Sequence, residues 1–167
     1  MKTTGVVPIT GGGTGQTTAA AAYVAISIGT NTNDNAAAGN VGEYIESYIV
    51  SGSGIAMSTG VTLNITSISL TAGDWEIFGW GGCVGVAGTT YTQFVAAWDT
   101  ANNTIPENQR GAIFVPSTTI NTAQIQMTLP LSRLSISSTT TCYLNVFATF
   151  AGSTMKGFGR ISARRRR

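Results

Sequence analysis

From Val41 onward, the sequence is a succession of short apolar runs separated by turns rich in glycine, asparagine and serine. Three of the runs, VTLNITSISL, AQIQMTLPLSRLSIS and TTCYLNVFATF, alternate apolar and polar residues. Because alternate residues of a strand point to opposite faces of a sheet, these runs predict strands with one buried face. About eight strands at this spacing are typical of an all-β fold, a β-sandwich or jelly roll.

Two of these runs contain irregularities that predict local features of the sheets. In VTLNITSISL, Val61, Leu63 and Ile65 are expected to point inward, and the pattern changes phase at Ser67, which predicts a bulge or bend. In AQIQMTLPLSRLSIS, Pro130 cannot donate a backbone hydrogen bond, so this strand is expected at a sheet edge or with a kink. The stretch DTANNTIPENQRG reads as a long polar loop.

Some of the predicted strands are apolar on both faces. A single sandwich has one core, and its outer faces should be wet, so a second apolar face indicates surface that is buried between subunits. The sequence therefore predicts an oligomer. The residues concerned are Tyr44, Ile45, Tyr48, Ile49, Trp75, Ile77, Phe78 and Trp80.

Residues 1–40 differ from the rest of the chain. The segment VPITGGGTGQTTAAAAYVAI predicts a glycine turn followed by one short helix, because Thr17 or Thr18 can cap it and alanine is the best helix former. The stretch GTNTNDNAAAGN reads as a polar, weakly structured connector. We therefore divide the chain into an N-terminal attachment segment with its linker, residues 1–40, and a β-sandwich head domain, residues 41–167.

The composition restricts the possible chemistry. Charged residues make up 10% of the chain, against roughly 25% in ordinary soluble domains, which is typical of extracellular or virion β-proteins. No histidine is present, so the commonest general base and metal ligand are missing. We predict no catalytic residues, no metal and no cofactor. Cys83 and Cys142 lie in apolar runs and are expected to be buried free thiols, although a single disulfide remains an alternative.

The sequence disfavours three other possibilities, namely membrane insertion, phosphate binding by a glycine-rich loop and glycan hydrolysis. No stretch of eighteen apolar residues occurs and no signal peptide opens the chain, so no membrane insertion is expected. The GGGTG run lacks the lysine of a phosphate-binding loop. Asp74 and Glu76 lie two residues apart on one strand, about 6.5–7 Å apart, near the spacing of inverting glycosidases. Because they flank Trp75 and follow Gly73, a structural role at a turn is the preferred interpretation.

The polar loop is the predicted receptor-facing surface. Aromatic residues on strands usually belong to the core, which is the expectation for Trp75 and Trp80. Trp98, however, borders the loop, and the loop contains amide side chains that suit the hydroxyl groups of a glycan. The candidate receptor-facing residues are Trp98, Asn102, Asn103, Asn108 and Gln109.

The chain ends in four arginines, and without them five basic and seven acidic residues remain. Three interpretations are open: a solvated tail, contact with an acidic virion partner or a lipopolysaccharide phosphate, and nucleic-acid binding, for which the footprint is poor. If the arginines follow the last strand directly, they could pair with Asp99, Glu107 or an acidic neighbouring subunit. The candidate contacts for an anionic partner are Arg164, Arg165, Arg166 and Arg167.

The segment VPITGGGTGQTTAAAA resembles the glycine–threonine–alanine segment of tail-fibre proteins from tailed phages and prophages. In those proteins it typically precedes a C-terminal globular head in a homotrimer. The stretches GEYIES, ISLTAGDWEIFGW and FGRISARRRR are similar to recurrent motifs of small phage virion proteins. The resemblance implies a homotrimer in which small residues let three backbones converge, whereas composition alone favours a flexible linker. The residues expected to form the trimer contacts and the attachment to the virion are Gly11, Gly12, Gly13, Gly15, Ala19, Ala20, Ala21 and Ala22.

Two functions follow from this resemblance. The first is a non-enzymatic homotrimeric tail fibre or knob that binds a host surface glycan or protein. The first is the preferred function, and the alternative is a head fibre or capsid decoration protein. The short shaft supports the alternative, because only Met1–Pro8 precede the glycine motif. Both place the protein in the virion, assembled in the host cytoplasm with other tail or capsid proteins. A glycan-cleaving enzyme is not expected.

Overall fold

The computed structural model describes residues 35–106, 110–116, 120–121 and 124–167. The described residues form ten β-strands and one short 3-10 turn, Ser51–Ser53, and contain no α-helix. The predicted glycine turn and short helix lie outside the described residues. The strands are β1 (Tyr44–Ile49), β2 (Ile55–Ala56), β3 (Leu63–Leu70), β4 (Gly73–Gly85), β5 (Thr90–Asp99), β6 (Gly111–Phe114), β7 (Ile120–Asn121), β8 (Gln124–Ile136), β9 (Thr140–Ala151) and β10 (Met155–Arg165).

The strands form two antiparallel sheets. Sheet A has the order β1-β10-β4-β8, with the short β2 paired to β10, and sheet B has the order β3-β9-β5-β6, with the short β7 paired to β5. Apart from the two shortest strands, the chain passes from one sheet to the other at almost every connection. Eight strands divided in this way between two antiparallel sheets form a jelly roll, and the predicted fold class is confirmed.

The inner faces of the two sheets share one core. Trp75, Phe94 and Trp98 are its largest fully buried side chains. Two glycines allow the sheets to approach closely. A methyl group at Gly81 would lie 2.6 Å from the Cβ of Ala96 on the opposite sheet. One at Gly157 would lie 2.7 Å from Ile65. The glycines in β4 and β10 therefore have a packing reason, because real Cβ contacts do not occur at such distances.

The local features of the sheets largely follow the predictions. The register of β3 against β9 shifts between Asn64 and Thr66, so the bulge is confirmed but lies before Ser67. Val61 is 54% exposed because it precedes the start of β3, and its predicted inward position is wrong. Pro130 lies in β8, at the edge of sheet A, as its missing N–H group requires.

The described part of the polar connector is hydrogen-bonded to the sandwich. The amide side chain of Asn35 bonds to the backbone of Tyr44, whose N–H group donates to Asn35 Oδ1 over 2.9 Å. The N–H group of Gly39 donates to the carboxylate of Glu43 over 2.8 Å. The connector is thus anchored to the first strand from Asn35 onward.

Candidate functional site

A cleft of about 640 Å³ opens on the outer face of sheet B. Its floor consists of Val95 and Ala97 from β5 and Phe147 from β9, and Ile113 from β6 forms one side. The strand register explains this arrangement, since Val95 lies opposite Phe147 on one side and Ile113 on the other. Phe147 is half-buried and Ile113 is 61% exposed. Val95 and Ala97 are buried, so Phe147 and Ile113 are the apolar side chains of the cleft that solvent can reach.

The opposite wall of the cleft is the segment Asn103–Pro106, and it is held by a buried asparagine of β9. The side chain of Asn145 is fully buried. Its amide donates to the carbonyl groups of Ala101 (3.2 Å) and Thr104 (2.8 Å). Its Oδ1 accepts a hydrogen bond from the N–H group of Asn103 over 3.2 Å. One side chain thus satisfies three backbone groups of the loop, which fixes the wall in place.

A second asparagine joins the loop to the neighbouring strand. Asn103 adopts a left-handed conformation with φ of 53°, which asparagine tolerates better than most residues. In this conformation its Oδ1 accepts a hydrogen bond from the N–H group of Asn64 over 2.7 Å. The loop is therefore attached to both β3 and β9, which holds the wall of the cleft in place.

The residues of the cleft lining that the structure describes are uncharged. Four polar side chains, Thr62, Gln93, Asn103 and Thr104, surround the apolar floor, and none of the described lining residues carries a charge. The volume lies within the range of ligand sites, roughly 300–1,000 Å³, and such sites combine apolar walls with a few placed polar groups. The arrangement suits binding of a neutral, partly apolar molecule.

The structure separates the predicted receptor-facing residues. Asn103 lines the cleft, and Asn102 is exposed beside it. Asn108 and Gln109 lie outside the described residues. Trp98 is fully buried, so its prediction as a receptor-facing residue is wrong. It points to the inner face of β5, like Phe94, and the Arg110 guanidinium covers its ring at 4.5 Å.

Sequence reasoning missed the floor and most of the polar rim of the cleft. The alternation in TTCYLNVFATF places Phe147 on the outward face of β9, but that pattern does not show which outward residues meet. Gln93 and Val95 are likewise outward positions of β5, and Thr62 precedes β3. Only the order of strands in sheet B brings these residues together.

The C-terminal arginines are not all solvated, because one of them is buried. Arg165 is 4% exposed and ends β10. Its Nε lies 2.8 Å from Glu43 Oε2, its Nη1 donates to the Ala72 carbonyl over 2.8 Å, and its guanidinium lies 4.2 Å above the Trp75 ring. We call this group the arginine clasp: Arg165, Glu43, Trp75 and the Ala72 carbonyl. Arg165 is inaccessible to an anionic partner, so that prediction is wrong for this residue.

The clasp determines the state of the Glu43 carboxyl group. Burial alone would raise its pKa, but hydrogen bonds from the Gly39 N–H group and from Arg165, with the charge of Arg165, hold the pKa of Glu43 below its usual value. Gly73 adopts φ of 150°, and a Cβ atom there would overlap the Arg165 guanidinium. The clasp thus joins the start and the end of the domain in one buried ion pair.

Two of the three remaining terminal arginines contact the first residues of β4. Arg166 pairs with Glu76 over 2.5 Å and Arg167 with Asp74 over 3.1 Å, while Arg164 is exposed. The backbone continues the pairing, since the Arg166 N–H group donates to the Asp74 carbonyl over 2.8 Å. These partners differ from the predicted ones. Asp99 instead lies 3.6 Å from Arg110, and Glu107 is outside the described residues.

Asp74 and Glu76 have a structural role, which is the interpretation that their position beside Gly73 and Trp75 favours. Arg133 donates two hydrogen bonds to Asp74, over 2.7 and 3.0 Å. This contact, opposed by burial and reinforced by the charges of Arg133 and Arg167, lowers the pKa of Asp74. A general acid requires a raised pKa instead. The pair is therefore part of an ion-pair network on sheet A rather than a pair of catalytic carboxylates.

Both cysteines are buried and free, which confirms the preferred prediction. Burial raises the pKa of Cys83 to about 12 and that of Cys142 to about 11, so both remain protonated at neutral pH. Across the described ranges, no group of three acidic, cysteine or histidine side chains is placed to hold a metal. In the same part of the chain, no helix has the length and apolar character needed to cross a membrane.

No family model matches the chain, and no curated protein matches it significantly. Solved structures similar to it include two of infectious bursal disease virus. One is the structure of the Gx strain, 13% identical over 84% of this chain, with a TM-score of 0.41. The other is the crystal structure of the VP2 subviral particle, 11% identical over 84% of this chain, with a TM-score of 0.44. The chain spans 36% and 37% of the lengths of those two chains.

Proposed function

We propose that this chain is a non-enzymatic bacteriophage virion protein, a homotrimeric tail fibre or knob that binds the host surface through the cleft on sheet B. The observation that carries the proposal is the cleft whose described lining is uncharged and whose wall is fixed by the buried Asn145. Jelly rolls are common in both viral capsid and lectin domains. The phage-like motifs of the sequence favour the virion over other settings for such a domain.

Binding without catalysis follows from the residues of the cleft. The hydroxyl groups of Thr62 and Thr104 line it, but the described lining contains no carboxylate, cysteine or lysine to activate them. Asp74 and Glu76 belong to strand β4 of the other sheet, where arginines hold them. Among the described residues, the site therefore has groups that can recognise a ligand and none in position to cleave one.

The homotrimer is supported by the outer face of sheet A. Tyr48 is 58% exposed, and Phe78 and Trp80 are half-buried on the same face. A face with this many aromatic side chains gains free energy when another subunit covers it. The N-terminal segment with Gly11–Gly15 and Ala19–Ala22, outside the described residues, would attach the trimer to the particle. Three weak sites on one rigid body then bind more firmly than one.

An adsorption assay tests host binding. Purified protein should compete with the phage that carries it for adsorption to host cells. Ile113→Arg places a charge at the exposed side of the cleft and should abolish competition. Leu131→Arg is the matched control, because Leu131 on sheet A is about as exposed as Ile113, 64% against 61%. This variant should compete as well as the parent chain. Unimpaired competition by the Ile113 variant would contradict a role for the cleft.

A capsid decoration or head-fibre protein is the second candidate, favoured by the exposed apolar residues of sheet A. Leu131, at the edge strand β8, and Tyr48, at the edge strand β1, would be covered by a capsid surface. In that case, the protein should restore heat resistance to capsids depleted of it, and should not compete with adsorption. The two assays together separate the candidates.

Sedimentation of the purified chain at micromolar concentration tests the homotrimer. The expected species has three times the mass of the chain. A folded single-copy species would contradict the trimer and leave the N-terminal segment as a tether, without affecting the adsorption result.

A further inference from the structure

Charged side chains are divided unequally between the two sheets. The strands of sheet B contain a single charged residue, Asp99, at the very end of β5. Its partner Arg110 lies 3.6 Å away, over Trp98. The strands of sheet A, by contrast, contain Glu46, Asp74, Glu76, Arg133, Lys156, Arg160, Arg164 and Arg165. The cleft therefore lies on the face of the domain that has the least charge.

We propose that the ligand of the cleft is a neutral saccharide whose apolar ring face stacks on Phe147. This inference rests on the proposed function and names the ligand of that site. Phe147 is half-buried in the floor, with Val95 beside it. A pyranose has one face of C–H groups and a rim of hydroxyl groups. An aromatic floor inside a polar rim is complementary to that shape.

The polar groups around the floor are available for hydroxyl recognition. Asn103 Oδ1 already accepts a hydrogen bond from Asn64, which leaves its amide hydrogens to donate. The Thr104 hydroxyl donates to the Asn102 carbonyl over 3.2 Å, which leaves its oxygen to accept. Gln93 and Thr62 can both donate and accept. Because the wall is already held by Asn145, ordering the loop adds little to the cost of binding.

Two other ligand classes fit less well. An anionic sugar or a phosphate would lose hydration without gaining a cation, since no described lining residue is basic. A peptide added as an extra strand needs a free strand edge. The floor, however, belongs to β5 and β9, each of which is already paired on both sides. The edge strand β6 supplies Ile113 to one side of the cleft, and a peptide added there would lie beside the floor rather than over it.

The test is a titration of the intact chain, followed by amide chemical shifts. The probes are neutral oligomers of glucose, galactose and N-acetylglucosamine, with sialylated and phosphorylated oligomers as the anionic set. We expect a neutral oligomer to shift the amides of Gln93, Thr104 and Ile113. Its affinity should be unchanged between about 0.05 and 0.5 M salt, over which ionic attraction is strongly screened.

Phe147→Leu retains an apolar side chain but removes the ring, and should weaken binding roughly tenfold. Tyr143→Leu is the matched control, because Tyr143 is half-buried on the same face of β9 and does not line the cleft. It should bind as the parent chain does. If the Phe147 variant binds normally, stacking on this ring is wrong.

Shifts caused only by the anionic set or only by peptides, or shifts that move to Arg164–Arg167, would overturn the inference. So would affinity that falls steeply with salt. The proposed function fails separately. Saccharide binding in the titration without competition in the adsorption assay rejects host attachment but leaves the ligand class in place. Competition without binding of any neutral probe rejects only the saccharide.

Discussion

Sheet A and sheet B contribute to the same core, but their outer faces are built from different residues. On sheet A, arginines and carboxylates pair across neighbouring strands, as in Arg133 with Asp74 and Arg160 with Glu46. On sheet B, the outer face is apolar or amide-bearing, and a loop held by Asn145 turns it into a cleft. The difference indicates that the charges of sheet A serve the domain itself, while the uncharged face of sheet B is available to a ligand.

The arginine clasp and Asn145 show two ways of using a buried polar side chain. The clasp buries a pair of opposite charges between the beginning and the end of the domain. Asn145 buries a neutral amide between one strand and one loop. An unpaired charge costs more to bury than an unpaired amide. The two devices should therefore respond differently to truncation, and the following experiments measure that difference.

The largest effect is expected from Glu43→Ala. It leaves the buried Arg165 guanidinium without its partner, which should lower the free energy of unfolding by about 3–5 kcal/mol. Urea denaturation at neutral pH measures the loss. Glu46→Ala is the control, because Glu46 is exposed and lies 3.6 Å from Arg160, and it should cost less than about 1 kcal/mol.

A double-mutant cycle with Arg165→Ala sharpens this result. If the two residues act as a pair, the double variant should be much less destabilised than the sum of the single variants. Additive losses would show that Arg165 is held mainly by Trp75 and the Ala72 carbonyl rather than by Glu43.

On sheet B, Asn145→Ala should lower the free energy of unfolding by about 1–3 kcal/mol, because it removes three hydrogen bonds between a buried side chain and the backbone of the loop. Amide hydrogen exchange at residues 101–106 should accelerate, while the amides of β10 should remain protected relative to the loop. Asn102→Ala, at an exposed position, is the control and should change neither quantity. A destabilisation as large as that of Glu43→Ala would erase the distinction between the two devices.

The clasp should also make stability depend on pH. The pKa of Glu43 is lower in the folded chain than its usual value, so its contribution is complete above the ordinary glutamate pKa, about 4.3. It is lost as the pH falls through the folded value. Asp74, with its lowered pKa, acts in the same direction. The free energy of unfolding should therefore decrease as the pH is lowered past about 4.

Glu43→Gln removes one of these titrating groups, so its unfolding free energy should decline less steeply with acid than that of the parent chain. Denaturant titrations at a series of pH values measure both slopes. Equal slopes would mean that Glu43 does not titrate with folding, contrary to its contacts with Gly39 and Arg165.

The smallest effect is expected from Arg166→Ala. Its ion pair with Glu76 lies at the surface, with the Arg166 side chain 59% exposed, and such pairs contribute about 0–1 kcal/mol. Thermal or urea unfolding should be nearly unchanged. A loss comparable to that of Glu43→Ala would extend the clasp to the last residues of the chain.

The strands and most of their faces could be predicted from the sequence. The alternation of Leu144, Val146 and Ala148 with Tyr143 and Phe147 predicts which face of β9 is buried, because side chains in a strand alternate between faces. The role of Trp98 could not be predicted in this way. It lies next to a polar loop in the sequence, but its place in the β5 alternation puts it inside. Proximity in sequence to a loop is no measure of exposure.

The tail arginines illustrate the same limit. Four consecutive charges read as a solvated end, yet Arg165 is buried because β10 continues to it and a carboxylate 122 residues away meets it. Nothing in the local pattern of FGRISARRRR identifies Glu43 as that partner. The contribution of Asn145 is equally invisible, since an outward asparagine on a strand ordinarily faces water.

The sequence by itself determined the all-β class, the number and order of the main strands, and the inward faces of most of them, because these depend on local alternation and turn chemistry. The tertiary structure alone decided which strands are neighbours. The pairing of neighbouring strands brings Val95, Phe147 and Ile113 to one cleft and places Arg165 beside Glu43. Both the cleft and the clasp require residues far apart in the chain to meet, and such contacts are set by how the two sheets are assembled.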